Sequence, residues 1–341
     1  MFKRRLRVIT AVALAISSIS ISAMADEVNV YSARKEALIK PILDQFSEQS
    51  GIKVNLITGK ADALISRMKT EGKFSPADVL VTTDVGRLHR AKSQGLLQPI
   101  SSDVLEASIS ANLRDGNGEW FALTKRARPI MYVPERVNAS ELSSVDELAD
   151  EKWKGRVCIR SSSNIYNQSM VASLIEQQGS RKTQAWLNNF VKSFARPPKG
   201  GDRDQIKAAV AGVCDIAIAN SYYLAGMLVS NDESEREVAK KVKVFWPSQD
   251  GRGAHVNISG AGVAKHAPNA DAAKKLIEFM VTKQAQEWYA KHNQEYPVID
   301  GVDWSPELLG FGEFKGENVR LQRLGELNAD AVKLMDKAGW R

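Results

Sequence analysis

Asn220-Ser221-Tyr222-Tyr223 follows a short apolar run, residues 215–219, and opens a helical pattern through Leu224, Met227 and Leu228. The pattern predicts a strand that passes directly into a helix, with two phenols at the junction. Ligands of open α/β folds bind outside the carboxyl ends of strands, which is where this junction lies. Two adjacent tyrosines also suit simple packing under a loop, so the rest of the chain must decide between the two roles.

Short strands and amphipathic helices alternate along the chain. In its first part, strands are predicted at 28–31, 52–57 and 78–81, with helices at 35–48 and 61–70 between them. This spacing is typical of βαβ units, so we expect an α/β fold with largely parallel sheets covered by helices. A second series of the same kind contains the tyrosine junction. Later helical patterns predict one long helix over 270–292 and a last helix over about 317–337.

Two extended stretches connect the two series. One is residues 120–134, which contains Pro129 and therefore cannot lie wholly inside a sheet. The other stretch lies near residues 248–255. Two crossings make a hinge between two lobes, with a ligand cleft between them. The predicted N-terminal lobe comprises residues 26–127 and 250–302, and the predicted C-terminal lobe comprises residues 128–249 and 303–341.

The first 25 residues have the pattern of a secretory signal peptide. Four basic residues precede an apolar run at 8–21, and Ala23-Met24-Ala25 is a small-x-small cleavage site, so we expect cleavage after Ala25. Cleavage removes four basic residues and no acidic ones, which lowers the formal charge of the 341-residue chain from +7 to +3. No basic run interleaved with aromatic residues remains, so the sequence has no nucleic-acid-binding pattern.

The two cysteines, Cys158 and Cys214, each lie at or near the start of a predicted strand. Export would bring them to a compartment where disulfides persist. They can pair if the two strands are neighbours; otherwise they are two small buried apolar side chains.

Phenols and arginines gather at the predicted strand ends. Tyr166 follows the strand at 156–159, just as Tyr222 and Tyr223 follow the strand at 215–219. A free phenol has a pKa of about 10, but a bound hard cation can deprotonate it. Three phenolates would neutralise Fe(III), and an arginine fork suits a small anion that completes the coordination. The pattern therefore predicts a ferric site in the cleft.

Four stretches carry a resemblance to a known family: VNVYSARKE at 28–36, KRAR at 125–128, SNIYNQS at 163–169 and NSYY at 220–223. On these stretches the chain resembles the ferric-iron-binding proteins of the periplasmic solute-binding family, which serve bacterial Fe(III) ABC importers. The resemblance implies the two-lobed type II binding-protein fold and a periplasmic monomer that delivers iron to permease and ATPase subunits. It implies Tyr166, Tyr222 and Tyr223 as the iron ligands.

The chain departs from many members at one place. A His, or His-Tyr, often follows the first strand, whereas this chain has Arg34-Lys35-Glu36 there. The resemblance therefore implies the three-tyrosine subgroup, in which a carbonate-like anion fills the remaining positions. Arg34 and Arg126 are the predicted anion-binding residues, and Tyr31 and Asp84 are minor candidates for metal ligation.

The predicted function is capture of Fe(III), not catalysis. One alternative is a binding protein of the same fold for a small organic or anionic solute on which the tyrosines stack. Another is an exported enzyme that uses the cleft, which is disfavoured because no nucleophile or general-base arrangement is evident.

Overall fold

The computed structural model describes residues 26–341, so the predicted signal peptide lies outside the described residues. Strands and helices alternate through most of this range. The strands are β1 Glu27–Ser32, β2 Lys53–Thr58, β3 Val79–Thr83, β4 Phe121–Arg128, β5 Ile130–Tyr132, β6 Val157–Cys158, β7 Ile216–Ile218, β8 Lys243–Phe245 and β9 His255–Val263. The α-helices are α1 Lys40–Ser50, α2 Ala61–Glu71, α3 Val85–Ser93, α4 Asp103–Ser108, α5 Ile165–Phe190, α6 Asp202–Val210, α7 Ser221–Leu228, α8 Glu233–Lys240, α9 Ala270–Met280, α10 Lys283–Trp288, α11 Pro306–Gly310, α12 Leu321–Glu326 and α13 Asn328–Lys337.

The strands form two separate sheets. The first has the order β2-β1-β3-β9-β4, and the second has the order β6-β7-β5-β8. Strands β1, β2 and β3 are parallel, as predicted, but β9 is antiparallel to both of its neighbours. In the second sheet only β6 and β7 are parallel. The expectation of largely parallel sheets was therefore wrong, because strands that arrive from the other sheet are not placed by βαβ crossovers.

The chain passes between the sheets at the two predicted places. Strand β4 ends at Arg128 in the first sheet, and β5 begins at Ile130 in the second. Pro129 separates them, and because proline has no N–H to donate, the ladder is interrupted there. The return passage runs over residues 246–254, between β8 and β9. These two crossings make the double connection expected of a hinged binding protein.

Two helix predictions were wrong in length. The pattern over 270–292 forms α9, α10 and a further turn at Tyr289–Asn293, because the Thr282 side chain accepts a hydrogen bond from the Ala285 amide and begins a new helix. The pattern over 317–337 begins only at Leu321 and is divided into α12 and α13. In both cases apolar residues keep their helical spacing through a break, so the sequence pattern hides it.

The C-terminal helices pack across the fold. Helices α12 and α13 both lie against α5, and α12 also packs on α3 of the first lobe. There is no room for a side chain at Gly325, where an added Cβ atom would clash with the Cβ of His89. A larger residue at position 325 would therefore push the C-terminal helices away from the first lobe. Within residues 26–341, no helix is both long and apolar enough to cross a membrane.

Cys158 and Cys214 form a disulfide between β6 and the segment that leads into β7. The two strands are parallel neighbours, so the bridge joins chain segments separated by 56 residues.

Replacing both cysteines by serine should lower the free energy of unfolding by about 2–4 kcal/mol, because the open chain regains the freedom that the bridge removes. Urea unfolding of the variant and of wild type would measure the difference. Wild type with the disulfide reduced is the control and should lose a similar amount. Equal midpoints for oxidised wild type and the variant would contradict the expectation.

Candidate metal centre

Two phenols lie where β7 passes into α7. Tyr222 and Tyr223 occupy the first turn of α7, and their ring centroids are 4.3 Å apart. Asn220 is the N-cap residue, and its carbonyl accepts a hydrogen bond from the Tyr223 amide. Because β7 ends at Ile218, this junction holds both phenols at the carboxyl edge of the second sheet.

The third phenol reaches the same cavity from α5. Tyr166 lies in the first turn of this helix, which follows β6, the parallel neighbour of β7. Because parallel strands end at the same edge of a sheet, the three phenols line one cavity of about 650 Å³. Thr83, at the end of β3 in the other sheet, places its hydroxyl 3.5 Å from the Tyr166 hydroxyl. The cavity therefore lies between the two lobes.

The Arg126 guanidinium lies against two of the rings. Its Cζ is 4.2 Å from the ring centroid of Tyr222 and 5.1 Å from that of Tyr166. Arg126 comes from β4 and is only 4% exposed. A buried cation at this distance attracts the rings and favours the ionised form of nearby phenols.

The three phenols differ in how readily they lose a proton. Burial alone would raise the pKa of Tyr166, but the Arg126 charge and the Thr83 hydroxyl outweigh it and lower that pKa to about 8. Burial raises the pKa of Tyr222 and of Tyr223, and the neighbouring Tyr166 phenol adds to both increases. One phenol is thus close to ionisation at neutral pH, whereas the other two need a strong cation to displace their protons.

The Tyr222 hydroxyl is buried and has no hydrogen-bond partner among residues 26–341. A buried polar group without a partner costs about 1–3 kcal/mol, so this oxygen is a candidate ligand atom. Over the same residues, no group of three or more His, Cys, Asp or Glu side chains is arranged to hold a metal ion. A metal site in this cleft would therefore depend on phenol oxygens, which suit a hard cation such as Fe(III).

A buried ion pair forms the first-lobe side of the cavity. Arg34 donates from its two terminal nitrogens to the Glu295 carboxylate, at 3.2 and 3.0 Å, and also to the Ser259 hydroxyl at 2.7 Å. The Nε of Arg126 lies 3.6 Å from the same carboxylate. Burial alone would raise the pKa of Glu295, but the two arginines lower it to about 2. Glu295 is thus a fixed negative charge between the two predicted anion-binding residues.

Sequence reasoning did not identify Glu295. It follows the turn at Tyr289–Asn293, and the intervening Gln294 has a left-handed backbone with φ of 56°. Its partner Arg34 is 261 residues away. No local pattern joins two positions so far apart, and a single acidic residue after a helix normally faces solvent.

Asp202 was also missed. It lies at the start of α6, is 1% exposed and forms an ion pair with Arg160 at 2.5 Å. The Tyr223 pKa is raised first by burial and further by the Asp202 charge. Its partner Arg160 lies 42 residues away in the chain, so no local sequence pattern joins the two.

The two minor candidate ligands do not reach the phenols. Tyr31 leaves β1 on the face that packs on α2, where its hydroxyl donates to the Glu71 carboxylate at 3.0 Å. Asp84 caps α3 by accepting from the Gly86 amide at 2.8 Å, and it also accepts from the Ser169 hydroxyl at 2.7 Å. Neither Tyr31 nor Asp84 lines the cavity.

The chain forms two lobes with two crossings and a cavity between them: one crossing at Pro129 joins two strands, and the other, over residues 246–254, is a turn-rich segment instead of the second hinge strand expected. This arrangement defines the class of two-lobed solute-binding proteins with the type II periplasmic fold. Residues 74–308 match the family described as bacterial extracellular solute-binding protein. The chain belongs to this family of bacterial extracellular solute-binding proteins.

Relatives of this chain are known as iron-binding and iron-uptake proteins. Iron uptake protein A1 of Synechocystis sp. is 50% identical over 92% of this chain and 88% of the relative. The Fe(3+)-binding periplasmic protein of Serratia marcescens is 29% identical over 99% of both chains. The solved structure of Trichodesmium IdiA (FutA) in complex with iron and citrate ligands is 51% identical, with a TM-score of 0.90 over 92% of this chain and 100% of that chain. These names describe binding and uptake rather than catalysis.

Proposed function

We propose that this protein captures Fe(III) in the periplasm and delivers it to an ABC-type importer in the inner membrane. Tyr166, Tyr222 and Tyr223 supply phenolate ligands, and a small anion such as carbonate completes the coordination. The names of the relatives support the metal and the compartment. The signal-peptide pattern that ends at Ala25 supports export.

One observation carries the proposal: the Tyr222 hydroxyl is buried in the cleft without a hydrogen-bond partner among the described residues. Two other phenols line the same cavity, and the Arg126 cation lies against the rings. Three phenolates balance the charge of Fe(III), and the Arg126 cation offsets the charge of the added anion, so the buried complex is not left with an uncompensated charge. An ion in this position would be removed from solvent when the lobes close.

Arg126 is the better of the two candidates for anion binding. Arg34 is held by both oxygens of Glu295, whereas Arg126 makes only a longer contact with that carboxylate. The iron and citrate ligands of the Trichodesmium relative support an anion with carboxylate chemistry. Arg34 can join once the anion competes with Glu295.

The lobes act as two bodies about the crossings at Pro129 and at residues 246–254. Residues 26–127 and 250–302 form the N-terminal lobe, and residues 128–249 and 303–341 form the C-terminal lobe. The protein acts as a monomer that presents iron to the permease, while the ATPase subunit drives import.

Addition of Fe(III) to the iron-free protein should produce a visible tyrosinate-to-iron charge-transfer band that saturates at one ion per chain. Tyr222→Phe should weaken iron binding by more than about 100-fold, since even residues that only support metal ligands contribute about 10–100-fold. Absorption titration with a competing chelator measures both quantities. Tyr132→Phe is the matched control, because Tyr132 lies in β5 and does not line the cavity.

The rival function is binding of a small anionic solute in the same cleft. Five basic side chains line the cavity, which is the observation that favours it; they are Arg34, Lys35, Arg126, Arg160 and Arg203. Calorimetric titration with citrate or phosphate, with and without Fe(III), separates the two functions. Tight anion binding without iron, together with no charge-transfer band, would replace the iron proposal by the solute proposal.

A further inference from the structure

Arg128 is a buried charge beneath the phenol-bearing edge of the second sheet. It is the last residue of β4, and its side chain is 1% exposed. It does not line the cavity, so it does not share the role of Arg126. A buried guanidinium is costly unless its donors are used by specific partners.

The partners of Arg128 flank the three phenols. One terminal nitrogen donates to the Asn220 side-chain oxygen at 3.1 Å, and the other donates to the Asn167 side-chain oxygen. Asn220 lies two residues before Tyr222, and Asn167 directly follows Tyr166. One planar group therefore joins the segment that carries the tyrosine pair to the segment that carries the third phenol.

Asn220 gives up a local interaction to make this contact. It occupies the N-cap position of α7, but its side chain makes no capping hydrogen bond. An N-cap side chain usually stabilises its helix by about 1 kcal/mol. Here that oxygen accepts from Arg128 instead, so the junction is tied to the neighbouring segment and not only to its own helix.

Asn167 extends the connection. Its side-chain nitrogen donates to the Arg160 carbonyl at 2.8 Å and to the Ser161 carbonyl at 3.1 Å. It is fully buried, so these contacts exclude water. The loop after β6 and the first turn of α5 are thereby held against Arg128.

The charge of Arg128 is balanced only in part. One terminal nitrogen is 3.8 Å from Asp202, whose other carboxylate oxygen pairs with Arg160 at 2.5 Å. An apolar side chain could fill the same interior without the desolvation cost of a charge. A guanidinium adds a rigid fork that fixes the distance between two acceptors.

We propose that Arg128 is a positioning residue for the metal site: by joining Asn167 to Asn220, it sets the spacing between the Tyr166 phenol and the Tyr222–Tyr223 pair. The inference rests on the proposed function, because it concerns the geometry of the same ligands. Arg128 belongs to the strand that crosses between the lobes at Pro129, so the ligand spacing is anchored to the hinge strand.

Arg128→Lys keeps the charge but cannot bond both amides in one plane, so iron affinity should fall about 10–100-fold, the range found for residues that support metal ligands. The charge-transfer band should also shift in wavelength, because its energy depends on the distances and angles between the phenolate oxygens and the ion. Arg136→Lys is the matched control. Arg136 is bonded just before β7, at the end of that strand away from the phenols, where it donates to Asp215 at 2.8 Å and to the Cys214 carbonyl at 3.2 Å.

Asn220→Ser separates positioning from folding. Serine is also a good N-cap residue, so α7 keeps its start, but the contact with Arg128 is lost. Asn220 makes no capping bond in wild type, so the capping bond of serine offsets the bond that Arg128 loses, and we expect the iron-free variant to melt close to wild type but to show weaker iron binding and a shifted band. This variant also decides the matter if Arg128→Lys does not fold.

The outcomes are distinct. A wild-type protein without a charge-transfer band would defeat the proposed function itself. A normal wild-type band with unchanged affinity and band position in Arg128→Lys and Asn220→Ser would overturn only the positioning role. Equal losses in Arg128→Lys and Arg136→Lys, with no band shift in either, would reduce Arg128 to a structural residue.

Discussion

Affinity for Fe(III) should fall by about a thousandfold for each pH unit between pH 8 and pH 6, because ligation by three phenols releases three protons and each contributes about tenfold per unit. Burial keeps Tyr222 and Tyr223 protonated in the iron-free protein by raising the pKa of each. Tyr166, with a pKa lowered to about 8 by Arg126 against the effect of burial, is protonated below that pH and ionised above it.

The number of protons released on iron binding should change near pH 8. Below pH 8 all three phenols must lose a proton to bind the ion, whereas above pH 8 only Tyr222 and Tyr223 must do so. The slope of affinity against pH should therefore drop from about three protons to about two as the pH rises past 8. A break at this position that is absent in Tyr166→Phe would assign the lowered pKa to Tyr166.

Competition with a chelator of known protonation, at several pH values, measures the slope. Proton release when the iron-free protein takes Fe(III) from a chelate of known protonation, in weakly buffered solution, measures the same number independently. Tyr132→Phe should release as many protons as wild type, since Tyr132 lies outside the cavity. Release of less than one proton per iron at pH 7 would contradict ligation by three phenolates.

The phenol set could be predicted because it depends on neighbouring parallel strands. Tyr166 follows β6 and the tyrosine pair follows β7, and these two strands are the parallel pair of the second sheet. Strand-end position and residue type were sufficient to bring the three residues together. The same rule did not hold for Tyr31, because its side chain points to the α2 face of the first sheet.

The charged lining of the cavity could not be predicted in the same way. Glu295 reaches Arg34 and Arg126 only because Gln294 turns the chain with a left-handed backbone after the helical segment.

Two features of the fold also lay outside the reach of the sequence pattern. The helix break at Thr282 is hidden because the apolar spacing continues through it. The direction of β9 is set by the return passage between lobes, which strand periodicity does not encode.

Glu295→Gln should lower the free energy of unfolding of the iron-free protein by about 3–5 kcal/mol, the usual cost of removing one partner from a buried ion pair. Two arginines, each more than nine-tenths buried, would then face each other without their shared carboxylate. The pKa of Glu295 leads to the same magnitude. Burial alone would raise this pKa, but the two arginines lower it from its ordinary 4.5 to about 2. A shift of this size corresponds to about 3 kcal/mol of folding free energy at neutral pH.

The pH dependence has a definite sign. Because the folded-state pKa of Glu295 is depressed, its contribution is fully present above pH 4.5 and is lost as the pH falls towards 2. Wild type and Glu295→Gln should therefore differ most in stability at neutral pH and converge in acid. Glu326→Gln is the control: its partner Arg323 is 40% exposed, and exposed pairs contribute only about 0–1 kcal/mol.

Added anions provide the second half of this test. In wild type, Glu295 neutralises Arg34 and partly neutralises Arg126, so an external anion must compete with a carboxylate already in place. In Glu295→Gln that competitor is gone, and citrate or phosphate should raise the melting temperature of the variant more than that of wild type, since a ligand of the folded state stabilises it by mass action. Thermal melts at increasing citrate, without iron, measure this. Equal shifts in the two proteins would mean that Arg34 and Arg126 do not bind the anion, and its site would then have to be sought on the tyrosine side of the cavity.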